Sequence, residues 1–222
     1  MQKRRRTNPT LASRNPVSSQ SGGHAIEVED LPFGSNPTSK IKLFQENRRE
    51  RLLSKQEMKE IGFAVTQLIS ERPNSVYAYK AIIFLFLTGC RKTEALRLRW
   101  EDIDLEHRIL KFRKTKTDPR DHYISVELKS FLEGLDSKRF SDWVFPGRNP
   151  ENHIVELKKP WDEIRARTGL HDVRLHDVRH TVLTDLLSIS DIQTAAFVAG
   201  HKTIRSTMRY IHSRSDSTRR AM

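Results

Sequence analysis

The last third of this 222-residue chain carries His176-Asp177-Val178-Arg179, then Gly200-His201, then Arg209-Tyr210, while Arg91 and Lys116 stand upstream. A guanidinium presents planar paired donors to phosphate oxygens, an imidazole moves a proton near neutrality, and a phenol can become a covalent nucleophile. Together these groups suit attack by a tyrosine on a phosphodiester. Such attack needs three kinds of help: neutralising the non-bridging oxygens, activating the phenol, and protonating the departing 5′ oxygen. His176 precedes Arg179 by three residues, so on a helix the two share a face. A free phenol has a pKa of about 10, and His176 can take or share its proton as attack proceeds. The set demands no metal, nucleotide or other cofactor. A rival reading makes His176 and His180, at i and i+4, a metal pair, yet no cysteine or carboxylate set with ligand spacing completes it.

The elements that must hold these groups follow from periodicity. Ser54-Lys55-Gln56-Glu57 has the form of a capping box, and Met58, Ile61, Val65 and Leu68 recur behind it at helical spacing. A second helix is expected over 75–87, broken by Gly89, and a short third over 92–98. Arg91 then sits at a helix start, where backbone donors can share an anion with it. Residues 103–112 and 122–126 have strand character, and the polar stretch 114–120, with Asp118-Pro119, joins them as a hairpin with a basic tip. Lys116 belongs to that tip; Lys114, two residues away on the same face, is its alternative. Further helices are expected over 129–135, 154–167, 176–187, 191–198 and 206–212. The fold class is mostly α (α+β), a helical bundle with a small antiparallel sheet. Residues 1–23, with few large apolar side chains, read as a disordered basic tail; 24–53, interrupted by Pro32, Gly34 and Pro37, as a linker; and 54–222 as the folded domain.

Composition narrows the partners. Forty lysines and arginines against 28 acids give a net charge of +12, which favours a polyanion through phosphate contacts and counterion release. Residues 1–23 hold +5 of this and 41–210 hold +7, so the folded part is basic in its own right. Basicity alone does not separate DNA from RNA or lipid. Cys90 is the only cysteine, which excludes an intrachain disulfide framework and suits a small buried thiol. The longest apolar run, 81–87, is far short of the roughly 18 residues of a membrane span, and the N-terminus lacks a signal-peptide stretch. A soluble, cytoplasmic protein is expected.

Four stretches carry a resemblance: Gly89-Cys90-Arg91-Lys92-Thr93-Glu94-Ala95-Leu96, Lys114-Thr115-Lys116-Thr117, His176-Asp177-Val178-Arg179-His180-Thr181, and Ala199 through His212, with Gly200-His201 and Arg209-Tyr210. In this order they resemble the catalytic domain of tyrosine recombinases, the phage integrase family, from about Asn36 to the C-terminus. The resemblance implies that Arg91 and Arg179 are the arginine pair that holds the phosphate and that His201 is a second histidine donating to it. It implies that Lys116 protonates the leaving oxygen and that Tyr210 forms a 3′-phosphotyrosine without metal or ATP. Glu94 and Asp177 match acidic neighbours of the motif arginines, either orienting them or forming plain surface salt bridges. The implied partners are double-stranded DNA at recombination sites, a DNA-dependent tetramer, and DNA-bending accessory proteins. In the family a helical DNA-clamping domain precedes such a linker, and the sequence ahead of residue 54 leaves no room for one. Weak, salt-sensitive DNA binding and a monomer in isolation are therefore expected. A truncated relic that only binds DNA, and a nicking-closing enzyme of the type IB topoisomerase kind, are the alternatives.

Overall fold

The computed structural model describes residues 51–113, 119–200, 203 and 206–208. The expected tail over 1–23, almost all of the linker over 24–53, the hairpin tip with Lys114 and Lys116, and His201 and Tyr210 lie outside the described residues. Helix α1, Lys55–Glu71, starts at the capping box: Ser54 Oγ accepts from the Glu57 amide at 3.2 Å, and Glu57 accepts from the Ser54 amide at 2.7 Å. Its Ile61, Ala64, Val65 and Leu68 face inward at helical spacing. Helix α2, Val76–Thr88, is apolar nearly all round because it runs through the centre of the domain, with Tyr79, Ile82 and Phe84 fully enclosed. It packs against α1, against the short α3 (Lys92–Leu96), and against α4 (Val126–Glu133), α5 (Lys158–Thr168) and α6 (Leu175–Ile189). Helix α7, Ile192–Ala199, follows α6 after Asp191, whose carboxylate accepts from the Gln193 and Thr194 amides, both at 2.8 Å. None of the described helices is long and apolar enough to cross a membrane.

A three-stranded antiparallel sheet, β1 (Ile103–Asp104), β2 (Ile109–Phe112) and β3 (Arg120–Tyr123), covers one side, in the order β1-β2-β3. Its register sets Leu110 opposite His122 and Phe112 opposite Arg120. The mostly helical fold with a small sheet agrees with the sequence reading, but several boundaries move for local reasons. The stretch 103–112 is two strands rather than one, since the Asp104 carboxylate accepts from the His107 amide at 2.8 Å and Arg108 turns at φ 56°. β3 stops at Tyr123 because Ser125 Oγ accepts from the Leu128 amide at 3.1 Å and starts α4 there. The helix expected from residue 154 begins at Lys158, as the Ile154 amide instead donates to the Phe145 carbonyl at 3.0 Å. Of the helix expected over 206–212, residues 206–208 are described, and they are helical.

Candidate active site

Arg91 owes its position to the end of α2. Gly89 leaves that helix at φ 60°, and a Cβ there would lie 2.8 Å from Val182 Cγ1 on α6, so conformation and space both require glycine. The chain passes through buried Cys90, whose thiol is pushed up to about 11 by loss of solvent, and enters α3 with Arg91 extended at φ −73°, ψ 144°. Glu94 reaches back to accept from the Arg91 amide and from its Nη1, each at 2.9 Å. Arg91 Nη2 donates to the Gly200 carbonyl at 3.2 Å. The guanidinium is thereby stretched between α3 and the end of α7.

α6 begins in the same manner, with Asp177 accepting from the Arg174 amide at 2.8 Å. This fixes the first turn, which carries His176, and the next, which carries Arg179. Arg179, 5% exposed, donates from Nη1 to the Gly89 carbonyl at 2.6 Å and from Nη2 to the Ala199 carbonyl at 2.7 Å. One side chain therefore ties the end of α2 to the end of α7. Glu94 and Asp177 are both buried, so neither is a surface salt bridge: Glu94 grips Arg91, and Asp177 holds the turn that presents His176.

Arg91, His176 and Arg179 line one cavity of about 550 Å³. Leu157, Trp161 and Val173 give it an apolar wall, and around it Lys92, Lys158, Arg165 and Arg174 outnumber the acids Glu156 and Asp162, the second of which pairs with Arg165. Lys92 also pairs with Glu156 at 2.9 Å. An anion entering here meets two guanidiniums and an imidazole against a wall of low polarisability, where charge interactions are stronger than in bulk water. Of the other predicted site residues, Lys116, His201 and Tyr210 lie outside the described residues, although Gly200, next to His201, is the acceptor of Arg91. His176 and His180 both belong to α6, and among the described residues no group of three or more His, Cys, Asp or Glu stands ready for a metal.

Sequence reasoning passed over Arg120. Its side chain is 8% exposed, donates from Nη2 to Glu94 Oε2 at 2.8 Å, and lies over the Phe112 ring at 4.7 Å from the centroid. Burial pushes the Glu94 carboxyl up, but the Arg120 charge and the Arg91 amide and guanidinium outweigh it, leaving the group below the ordinary carboxylate range. Arg120 becomes visible only when the register sets it opposite Phe112, since nothing beside it in the sequence sets it apart from the other arginines.

The sequence profile described as the phage integrase family matches residues 51–216. The chain is 26% identical over 147 residues to a shufflon-specific DNA recombinase of Escherichia coli, covering 65% of this chain and 37% of that protein. It is 23% identical over 193 residues to a probable integrase/recombinase of Acholeplasma phage L2, covering 83% and 62%. The chain thus spans from about a third to less than two thirds of the length of these relatives. Among solved structures, the fold resembles a XerA recombinase, with a TM-score of 0.58, 23% identity, and coverage of 73% of this chain and 60% of that one. It also resembles a XerH site-specific recombinase bound to a palindromic difH substrate after cleavage, with a TM-score of 0.66, 19% identity, and coverage of 79% and 53%.

Proposed function

The chain belongs to the phage integrase family, and from that membership we propose that it is a tyrosine recombinase, a DNA strand-transferring enzyme working through a covalent 3′-phosphotyrosine. The observation that carries this reading is the convergence of Arg91, His176 and Arg179, from the starts of two separate helices, on one cavity. Such a pair of guanidiniums stabilises the charge that builds on the non-bridging oxygens as phosphorus is attacked. In the proposed step the Tyr210 Oη–phosphorus bond forms and the phosphorus–O5′ bond breaks. The phenol proton passes to His176, and Lys116 supplies a proton to the departing 5′ oxygen. His201 donates to a non-bridging oxygen. The phosphotyrosine conserves the energy of the broken linkage, so a second strand's 5′-hydroxyl can reverse the step elsewhere without ATP. The substrate proposed is duplex DNA at recombination sites, with a DNA-dependent tetramer, DNA-bending accessory proteins and a cytoplasmic setting.

The test is capture of the covalent intermediate. A pool of nicked suicide duplexes of randomised sequence is incubated with the protein, and a denaturant-resistant adduct is recovered and sequenced to give a defined probe. The expected result is an adduct that Tyr210→Phe abolishes and a metal chelator leaves unchanged. An adduct of equal yield in Tyr210→Phe removes Tyr210 from the nucleophile's role. Loss with chelator, restored by one metal, favours the His176/His180 reading. Binding of the pool with no adduct favours a relic that only binds DNA.

A further inference from the structure

Every hydrogen-bond partner given to the Arg91 side chain by the described residues is also touched by Arg120. Glu94 is fully enclosed: Oε1 receives Arg91 Nη1, while Oε2 receives both the Arg91 amide and Arg120 Nη2 at 2.8 Å. Gly200, whose carbonyl receives Arg91 Nη2, stands at φ 60° with the Arg120 guanidinium filling the place of a side chain. A Cβ built there would be 2.1 Å from Arg120 Nε and 2.9 Å from its Cζ. Phe112 beneath the guanidinium and the β2–β3 register hold Arg120 in that place.

Two features set Arg120 apart from an arginine that merely fastens the sheet. Its Nε and Nη1 are buried and have no hydrogen-bond partner among the described residues, an arrangement costly for a guanidinium. It also loads a second positive charge onto a carboxylate that already has one. A closed Arg91–Glu94 pair would be neutral, and an incoming phosphate would compete with Glu94 for Arg91. With the Glu94 charge shared between two guanidiniums, Arg91 keeps its pull on an anion in the cavity. We infer that Arg120 is a positioning residue for the reacting phosphate, acting through Glu94 and the Gly200 turn to keep Arg91 charged toward, and aimed at, the cavity. This inference rests on the recombinase reading above.

The experiment compares two versions of the captured duplex probe, one with an ordinary phosphodiester at the cleaved position and one with a methylphosphonate, which lacks the negative charge. On the phosphodiester, Arg120→Met should slow adduct formation on the order of 10- to 100-fold, the scale of a residue that acts through a charged ligand. Arg120→Lys, which keeps a charge beside Glu94, should recover much of the rate. On the methylphosphonate, most of the Arg120→Met deficit should vanish, because there is no charge for Arg91 to hold. The double variant Glu94→Gln/Arg120→Met removes the carboxylate charge that, once Arg120 is gone, falls on Arg91 alone and competes with the phosphate for it. It should therefore cleave faster than Arg120→Met alone. Equal deficits on both probes, or a double variant no faster than the single one, overturn the inference. So does Arg120→Met cleaving at the wild-type rate. If the wild-type protein itself forms no adduct, the recombinase reading falls and this inference falls with it. An equal deficit beside a productive wild type defeats the positioning role alone.

Discussion

Around α2 the chain is held by apolar contact, whereas around α7 it is held to a large degree by arginine. The first region has a continuous core in which Phe84 meets Phe145 edge-on at 5.3 Å and α1, α4 and α5 pack against α2. The second has, among the described residues, a small cluster, Leu183 and Ala199 with Leu187 and Val198 against them. Among the described residues, α7 is joined to the rest by Arg179 on the Ala199 carbonyl, Arg91 on the Gly200 carbonyl and Arg120 lying against Gly200, together with the Phe197 ring against Tyr123 at 5.9 Å. The groups that would meet a phosphate are thus the same groups that fasten the segment leading to His201. Apolar burial is non-directional and tolerates small shifts, while hydrogen bonds to named carbonyls fix angles. The thick core gives the site a rigid back, and the arginine seam gives it geometry.

The comparison breaks most directly at Arg179. Arg179→Ala should reduce adduct formation by roughly 10²- to 10³-fold, the scale for loss of one charge-stabilising donor. It should also cost about 2–5 kcal/mol in stability, because two backbone carbonyls lose a charged donor in a buried place. Rate measurement on the defined duplex and a urea midpoint would show both losses together. A variant that loses rate but keeps its midpoint would mean that the seam contributes chemistry without cohesion, and the contrast between the regions would fail.

Much of this was legible in advance. The Ser54 capping box, the apolar face of α1, the break at Gly89 and the position of Arg91 at a helix start all follow from short-range spacing, and the structure has each of them. The one-turn offset of His176 and Arg179 on α6 is local too. What spacing could not supply was the tertiary part: that Arg179 spans from Gly89 to Ala199, that Asp177 serves Arg174 rather than a surface partner, and that Arg120 enters at all. The long-range contacts among them join residues 20 to 90 positions apart and depend on register and crossing, which no periodicity encodes. The split of 103–112 was missed for a smaller reason, a side-chain turn at Asp104 inside an otherwise strand-like run.

A second effect, of intermediate size, sharpens the contrast through pH. His122, on β3 between the apolar core and the seam, is nearly enclosed, with its Nδ1 buried and without a hydrogen-bond partner among the described residues. Loss of solvent, then the nearby Arg120 charge, pushes its pKa down from 6.5 to about 4. The unfolded chain therefore binds this proton at a higher pH than the folded one. The stability at stake is fully present above 6.5 and is lost as pH falls through about 4. A tenfold change in proton affinity corresponds to about 1.4 kcal/mol, so the loss should approach roughly 3 kcal/mol. Denaturant unfolding between pH 7 and pH 4 would show this slope, and His122→Leu should flatten it. An unchanged slope in His122→Leu would assign the acid sensitivity to the paired carboxylates instead.

The smallest expected effect compares the regions by matched caps. Ser54 caps α1 in the apolar region, and Asp191 caps α7 beside the seam, accepting from the Gln193 and Thr194 amides. Replacing either by alanine should cost about 1 kcal/mol locally. The consequence should differ. α1 is bound to the core along its inward face, so Ser54→Ala should lower the global midpoint and leave amide exchange in its middle governed by global unfolding. Among the described residues α7 has a smaller apolar cluster than α1, so Asp191→Ala should speed exchange across 192–199 while leaving the amides of α1 and α2 nearly unchanged. It should also slow adduct formation more than Ser54→Ala does, since loosening α7 releases the carbonyls that Arg179 and Arg91 use as anchors. Equal exchange and equal rates in the two variants would mean that α7 is as firmly held as α1, and that the arginine seam is a full substitute for a core.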